Sequence, residues 1–244
     1  MKRRDWIKKN LLFTCATVLT PLLDLQAGKK RRKVLFVGDS ITSHGGFIKY
    51  LNLKLKVNGL DGRYELINGG LSGETITGLT EPSHPGPRPY LFDRLEIMLD
   101  QYQPLVAFFC YGINCGIYQP MDAAKLVKYK SGLDRILSVC AAQKIKPVLM
   151  TPTPLALKAK LKQQLRQNPP SEWSWREPYP AYSEEVVKVF AEVVKDCASK
   201  QVQAIDLYTP LLRQKARAYG SDPIHPNAEG HQIIATTIWD QYKF

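Results

Sequence analysis

The chain is poor in cysteine, with five in 244 residues and none in C-x-x-C spacing. That is no disulfide framework, and it gives no support to a zinc site. With Cys15 set aside, Cys110, Cys115, Cys140 and Cys197 fall in apolar strand or helix patterns or at a strand end. Cysteine there reads as a small buried hydrophobe, with pairing after export left open. Long apolar runs are missing too. The run Leu11–Leu23 has 13 residues, against the about 20 that a bilayer-spanning helix needs. No internal repeat and no low-complexity tract is present, so a solenoid is not expected. A composition of 44% hydrophobic and 23% charged residues is that of a globular protein and argues against wholesale disorder or a polytopic membrane protein.

What the chain does have is positive charge: 34 Lys+Arg against 22 Asp+Glu, a net of +12. Taken alone this fits a binder of nucleic acid or of an anionic surface. Its placement says otherwise. Residues 1–27 carry +3 and the run Lys29–Lys33 carries +5, which leaves +4 on the rest. The order of basic stretch, apolar run and Leu25-Gln26-Ala27 as a cleavage site predicts an export signal over 1–27. Its start, Arg3-Arg4-Asp5-Trp6-Ile7-Lys8, resembles a twin-arginine signal. The alternative is an uncleaved amphipathic anchor. Residues 28–33 then read as a basic leader. No aromatic interleaving or second basic cluster supports a nucleic-acid partner. The expected location is periplasmic or secreted, with no stable membrane insertion after processing.

The body alternates short apolar runs with helical patterns. Strands are expected at Val34–Val37, Tyr64–Ile67, Leu105–Cys110, Lys146–Met150 and Val202–Asp206. Helices are expected over 46–57, 89–100, 121–142, 155–167, 181–198 and 227–240. Continuous apolar strands alternating with helices mean a parallel sheet covered on both faces, a three-layer α/β/α sandwich. Ligands of such sheets bind beyond the carboxyl ends of the strands.

Polar and glycine-rich patches stand at those ends and in a loop nearby. Gly38-Asp39-Ser40 follows the first strand, Ser72-Gly73-Glu74 the second and Gly112-Ile113-Asn114-Cys115 the third, while Asp222-Pro223-Ile224-His225 precedes the last helix. Acyl transfer needs this set. A serine is a weak nucleophile until a base takes its proton, and imidazole titrates near neutrality. Asp222, three residues before His225, can share a tight turn with it and orient the ring through Nδ1–H. The N–H groups of Ser40 and Gly73 and the Asn114 amide can receive the oxyanion. Gly73, lacking Cβ, lets the backbone approach substrate.

On these four blocks, in this order and across about residues 34–240, the chain resembles the SGNH hydrolases, also called the GDSL family. The resemblance implies a flavodoxin-like five-stranded sheet in the order 2-1-3-4-5, and neither metal nor organic cofactor. It implies Ser40 as nucleophile, His225 as base, Asp222 as its orienter, and Ser40, Gly73 and Asn114 as oxyanion donors. The hydrolase domain is expected over 34–244. No G-x-S-x-G elbow is present, which disfavours the ordinary α/β-hydrolase. In one departure, Cys115 stands where the family usually has Asp. It reads as a substitution in a supporting position, or as a thiol that tunes the pocket or is oxidised.

Five further residues are expected at the substrate, though Asp39 reads first as support for its turn. Glu74 and Arg88 lie in the second site-end loop, where Arg88 can read a carboxylate or sulfate. Trp173 and Trp175 can stack on sugar faces or pack their own loop down. His44 and His84 lie in Gly/Pro-rich loops and read as exposed loop histidines, with contact to substrate as the alternative. His231 reads as structural, and Asn227 as a helix cap. The GDSIT-type start and the Gly-Leu-Ser-Gly-Glu-Thr loop look most like the carbohydrate acetylesterase branch. The expected substrate is a small-molecule or polysaccharide ester, O-acetyl by preference. The rivals are a lysophospholipase or thioesterase acting on longer chains, and a degenerate glycan-binding member.

Overall fold

The computed structural model describes residues 30–199 and 202–244. The expected export segment 1–27, and residues 28 and 29 of the basic leader, lie outside them. Strand β1 (Arg32–Gly38) begins two residues earlier than expected. Arg32 and Lys33 are therefore strand rather than leader, and the Arg32 guanidinium lies 5.9 Å from the centre of the Tyr64 ring.

The other strands are β2 (Tyr64–Gly70), β3 (Val106–Cys110), β4 (Lys146–Met150) and β5 (Gln203–Ile205). All pair in parallel, in the order β2-β1-β3-β4-β5. β3 is buried along its whole length because helices cover both faces. Helix α1 (Ser40–His44) and helix α2 (Gly46–Val57) follow β1. α2 buries Phe47, Ile48, Leu51 and Leu55, a stripe at helical spacing. Each such side chain contributes about 1.5–3 kcal/mol when fully buried.

Helix α3 (Leu95–Tyr102) is shorter than the expected 89–100, because Leu91–Asp93 is a separate 3-10 turn. Arg94 breaks the two apart at φ −136 and turns its guanidinium onto Glu74. Helix α4 (Ala123–Ala142) starts on its cap, Asp122, whose carboxylate accepts from the Lys125 N–H at 2.7 Å. Helix α5 (Ala159–Gln167) begins later than expected, since 151–158 after β4 is neither helix nor strand. Within the expected 181–198 helix, a π turn at Ser183–Val187 precedes α6 (Lys188–Asp196). Two short helices not expected from the sequence, α7 (Tyr208–Arg213) and α8 (Lys215–Ala218), lead to α9 (Ala228–Gln241), capped by Asn227.

α2 packs on α9 and α4 packs on α6. The core joins sheet to helix through rings: Phe36 stacks on Phe108 at 4.7 Å and meets Phe47 edge-on, and Tyr129 of α4 stacks on Phe190 of α6 at 4.0 Å. The register sets Gly38 beside Gly70 on one side and Cys110 on the other. The loops leaving β1, β2 and β3 therefore start level with one another.

Candidate active site

α1 stands directly on the end of β1. It can do so because Gly38 has no Cβ; one there would lie 2.3 Å from Thr42 Oγ1 and 2.8 Å from the Cys110 carbonyl oxygen. Asp39 caps α1, its Oδ1 accepting from the Ile41 N–H at 3.0 Å. Ser40 is thus the first residue of α1, where a backbone N–H has no partner within the helix. Its Oγ lies 2.8 Å from His225 Nε2. His225 Nδ1 lies 2.7 Å from Asp222 Oδ2, while Asp222 Oδ1 accepts from the N–H groups of Ile224 and His225. One carboxylate therefore both shapes the turn and holds the ring. Burial works against its charge, but the bonds from His225 and the backbone outweigh it and keep the Asp222 carboxyl below its ordinary value.

Ser40 opens onto a cleft of about 490 Å³. Gly73 and Asn114 line it, together with Asp222 and His225. Gly73 has φ +77, a left-handed conformation that favours glycine. Asn114 Oδ1 accepts from the Tyr118 hydroxyl at 2.9 Å and from Arg88 Nη1 at 3.3 Å. With both bonds on the oxygen, the amide has one orientation, and its Nδ2 makes only a 3.5 Å contact with the Glu74 carbonyl. The loop that carries Asn114 is buried from Tyr111 to Tyr118. Ile117 and Tyr118 both sit at positive φ, 48 and 58. Side chains rarely adopt that conformation, and such strain gathers at functional sites. A serine–imidazole–carboxylate chain beside fixed N–H donors is equipped for nucleophilic acyl transfer.

The five residues expected at the substrate have different places. Asp39 is buried under α1, and Glu74 is 0% exposed, gripped by Arg94 and hydrogen-bonded by the Tyr111 hydroxyl. Neither lines the cleft. Burial pushes the Asp39 carboxyl up to about 7, with Glu74 adding to the rise and the Ile41 N–H, His225 and Arg88 opposing it. Trp173 does not line the cleft either; it packs edge-on against Tyr179 at 6.0 Å. Trp175 does line it and is 41% exposed. Arg88 reaches the cleft wall, but Glu81 takes its Nε and Nη2 at 2.6 Å each, so its charge is already matched. His44 and His84 are both on the wall, His44 as the last residue of α1 rather than in a loop. His231 lies beneath His44, ring over ring at 5.8 Å, and burial pushes it down to about 4. Cys115 is fully buried, and burial pushes its thiol up to about 12, which removes the reading of an oxidisable pocket thiol.

Sequence reasoning passed over Glu81, Arg94, Tyr111 and Tyr118, which hold the named residues in place. Among the described residues, no group of three or more His, Cys, Asp or Glu is arranged to hold a metal ion. No described helix is long and apolar enough to cross a membrane.

Known proteins give the same picture of the fold. A catalytic mutant of Axe2, an acetylxylan esterase from Geobacillus stearothermophilus, superposes with a TM-score of 0.63 at 21% identity, over 87% of this chain and 94% of that one. The acetyl xylan esterase AlAXEase gives 0.61 at 21%, over 85% and 98%. The psychrotrophic esterase EstA from Pseudoalteromonas sp. gives 0.57 at 20%, over 86% and 96%. No curated protein sequence matches the chain. The model of the GDSL-like lipase/acylhydrolase family matches residues 36–233. The chain belongs to that family and is a carboxylic ester hydrolase.

Proposed function

We propose that the protein hydrolyses short-chain esters, O-acetyl groups on carbohydrate in the first place, in the periplasm or outside the cell. The observation that carries the chemistry is the chain from Ser40 Oγ through His225 to Asp222, at 2.8 and 2.7 Å, opening on the cleft. Ser40 Oγ attacks the ester carbonyl carbon and its proton passes to His225 Nε2. The oxyanion faces the N–H groups of Ser40 and Gly73 and the Asn114 amide. As the carbon–oxygen bond breaks, the alcohol leaves with the proton from Nε2. Water then attacks the acyl-Ser40 ester, gives a proton to Nε2, and the acid departs as Oγ recovers that proton.

The cleft supports a short acyl group. Among the described residues, Ile224 is the one aliphatic side chain on its wall, the others being serines, histidines, aromatic rings and polar groups. One aliphatic side chain gives a long alkyl tail little to pack along. The exposed indole of Trp175 is suited to the face of a sugar ring. The fold likeness to two acetyl xylan esterases points the same way. Export rests on the sequence of residues 1–27.

Acetate release from a panel of acetylated glycans, wild type against Ser40→Ala, tests the reading. Turnover by wild type and its loss in the variant are expected, with fluorophosphonate labelling of wild type only. Preference for p-nitrophenyl decanoate over acetate would overturn the short-chain assignment in favour of a lysophospholipase or thioesterase. No labelling and no turnover on any chain length would defeat the enzyme reading and leave the degenerate glycan-binding member.

A further inference from the structure

Between β2 and α3 the chain makes a proline-rich loop, Pro82, Pro85, Pro87 and Pro89, with no helix or strand of its own before Leu91. It is nonetheless tied down. The Thr75 N–H donates to the Pro89 carbonyl at 3.0 Å, the Leu91 N–H to the Thr75 carbonyl at 3.1 Å, and the Arg88 N–H to Thr80 Oγ1 at 2.9 Å. The loop delivers one buried cation, Arg88, and its partner, Glu81. Their side chains are 3% and 0% exposed, joined by two bonds of 2.6 Å.

A buried ion pair contributes little net stability compared with an apolar pair of the same volume, because desolvation cancels most of the attraction. The geometry gives it another use. Glu81 occupies Nε and Nη2 and so fixes the guanidinium plane. Nη1 is then aimed at the Gly73 carbonyl, 3.2 Å away, and at Asn114 Oδ1, 3.3 Å away. Those are the two residues that, beside Ser40, supply donors in the proposed reaction. The guanidinium also lies 5.6 Å from the centre of the Tyr118 ring, whose hydroxyl makes the second bond to Asn114 Oδ1.

We propose that Arg88, held by Glu81, is the positioning residue of the oxyanion pocket. It fixes the Gly73 backbone and the Asn114 amide as one unit and keeps the positive end of the ion pair behind both donors. This rests on the assignment of Ser40, Gly73 and Asn114 above. It replaces the expectation that Arg88 reads an anionic group on the substrate, and the two make opposite forecasts.

Arg88→Met alone would strand the Glu81 charge in the interior, so the test pairs it with Glu81→Leu. Wild type, the double variant and Arg88→Lys are compared on p-nitrophenyl acetate and on acetate esters with and without a carboxylate in the alcohol. Inhibition by a short alkylboronic acid, which forms a tetrahedral adduct on a serine Oγ, is measured beside them. The expected result for the double variant is a kcat lower by about 10²–10³-fold, the loss typical of one oxyanion donor. KM should change little on neutral and anionic esters alike, and boronate affinity should fall in parallel with kcat. Arg88→Lys, which keeps the charge without the fork, should fall between. A folded double variant with unimpaired kcat, or a loss confined to KM for the anionic ester, would overturn the proposal. Should the double variant fail to fold, Arg88→Lys decides: reduced kcat at constant KM upholds it and unchanged kcat overturns it. Wild type without esterase activity would overturn the parent assignment and this one together, whereas active wild type with unimpaired folded variants overturns this one alone.

Discussion

Asp39 sits one residue before the proposed nucleophile, buried, with its carboxyl pushed up to about 7 from an ordinary value of 3.8. Its raised folded value means that protonation stabilises the fold. That contribution is fully present below 3.8, declines as pH rises, and is gone above about 7. At about 1.4 kcal/mol per pH unit, the interval from 3.8 to about 7 amounts to about 4 kcal/mol, more than half of it lost between pH 5 and pH 8.5. Asp39→Asn keeps an oxygen to accept from the Ile41 N–H, and Asn caps a helix as well as Asp. It cannot ionise. Urea unfolding of wild type and Asp39→Asn at pH 5 and pH 8.5 gives four free energies whose double difference cancels the titrating groups that do not interact with Asp39. The variant should gain about 2–3 kcal/mol relative to wild type on going to pH 8.5, roughly 1 M in the urea midpoint. The same difference between the two proteins at both pH values would refute the reasoning, because the Asp39 carboxylate would then cost nothing where it lies.

Asp222→Asn retains an oxygen for the N–H groups of Ile224 and His225, so the turn should stand while the carboxylate facing the imidazole is lost; kcat should drop by about 10⁴-fold with little change in Tm. Gly73→Ala places a Cβ 3.5 Å from Arg88 Nη1, an ordinary contact, so its cost comes from φ +77: about 1–2 kcal/mol by urea unfolding, with kcat falling as the donor turns away. Cys115, buried and pushed up to about 12, should resist iodoacetamide at pH 8 until the protein is unfolded, while half-buried Cys197 is alkylated in the native state; peptide mass spectrometry reads both.

The sheet was legible because β1, β3 and β4 carry continuous apolar runs, and that pattern survives whatever the loops do: the five strands stand within two residues of their expected places except at the C-terminal end of β2. The hydrogen-bonded chain was legible because Asp222 and His225 are neighbours in sequence and Ser40 lies two residues past the end of a strand. The helix over 89–100 was misread because its periodicity runs through Arg94, which leaves helical geometry with its guanidinium on the buried carboxylate of Glu74, twenty residues away. The role of Arg88 was hidden for a related reason. Its partner lies seven residues back in a loop with no period, and nothing in Glu81-Pro82-Ser83-His84 signals that this glutamate is buried. Sequence pattern reports which side chains leave water together with their neighbours in a helix or strand. It does not report a charge that leaves water to meet another charge.

Those hidden charges have a common placement. Asp39, Glu74, Glu81 and Arg88 are buried around the loop from β2. Arg94, locked by Glu74, donates to the Gly69 carbonyl at 2.8 Å, and Arg88, locked by Glu81, donates to the Gly73 carbonyl at 3.2 Å. The segment from Gly69 to Gly73 is thus held near each end by a guanidinium whose own orientation is set by a carboxylate with no exposure to water. Hydrogen bonds in such surroundings are stronger than in water and resist rearrangement. An oxyanion donor is useful in proportion to how little it must reorganise as charge develops. A glycine at φ +77 would on its own be among the softest points of the backbone. Two ion pairs that add little to stability make it stiff, and this stiffness is what the proposed reaction requires of Gly73.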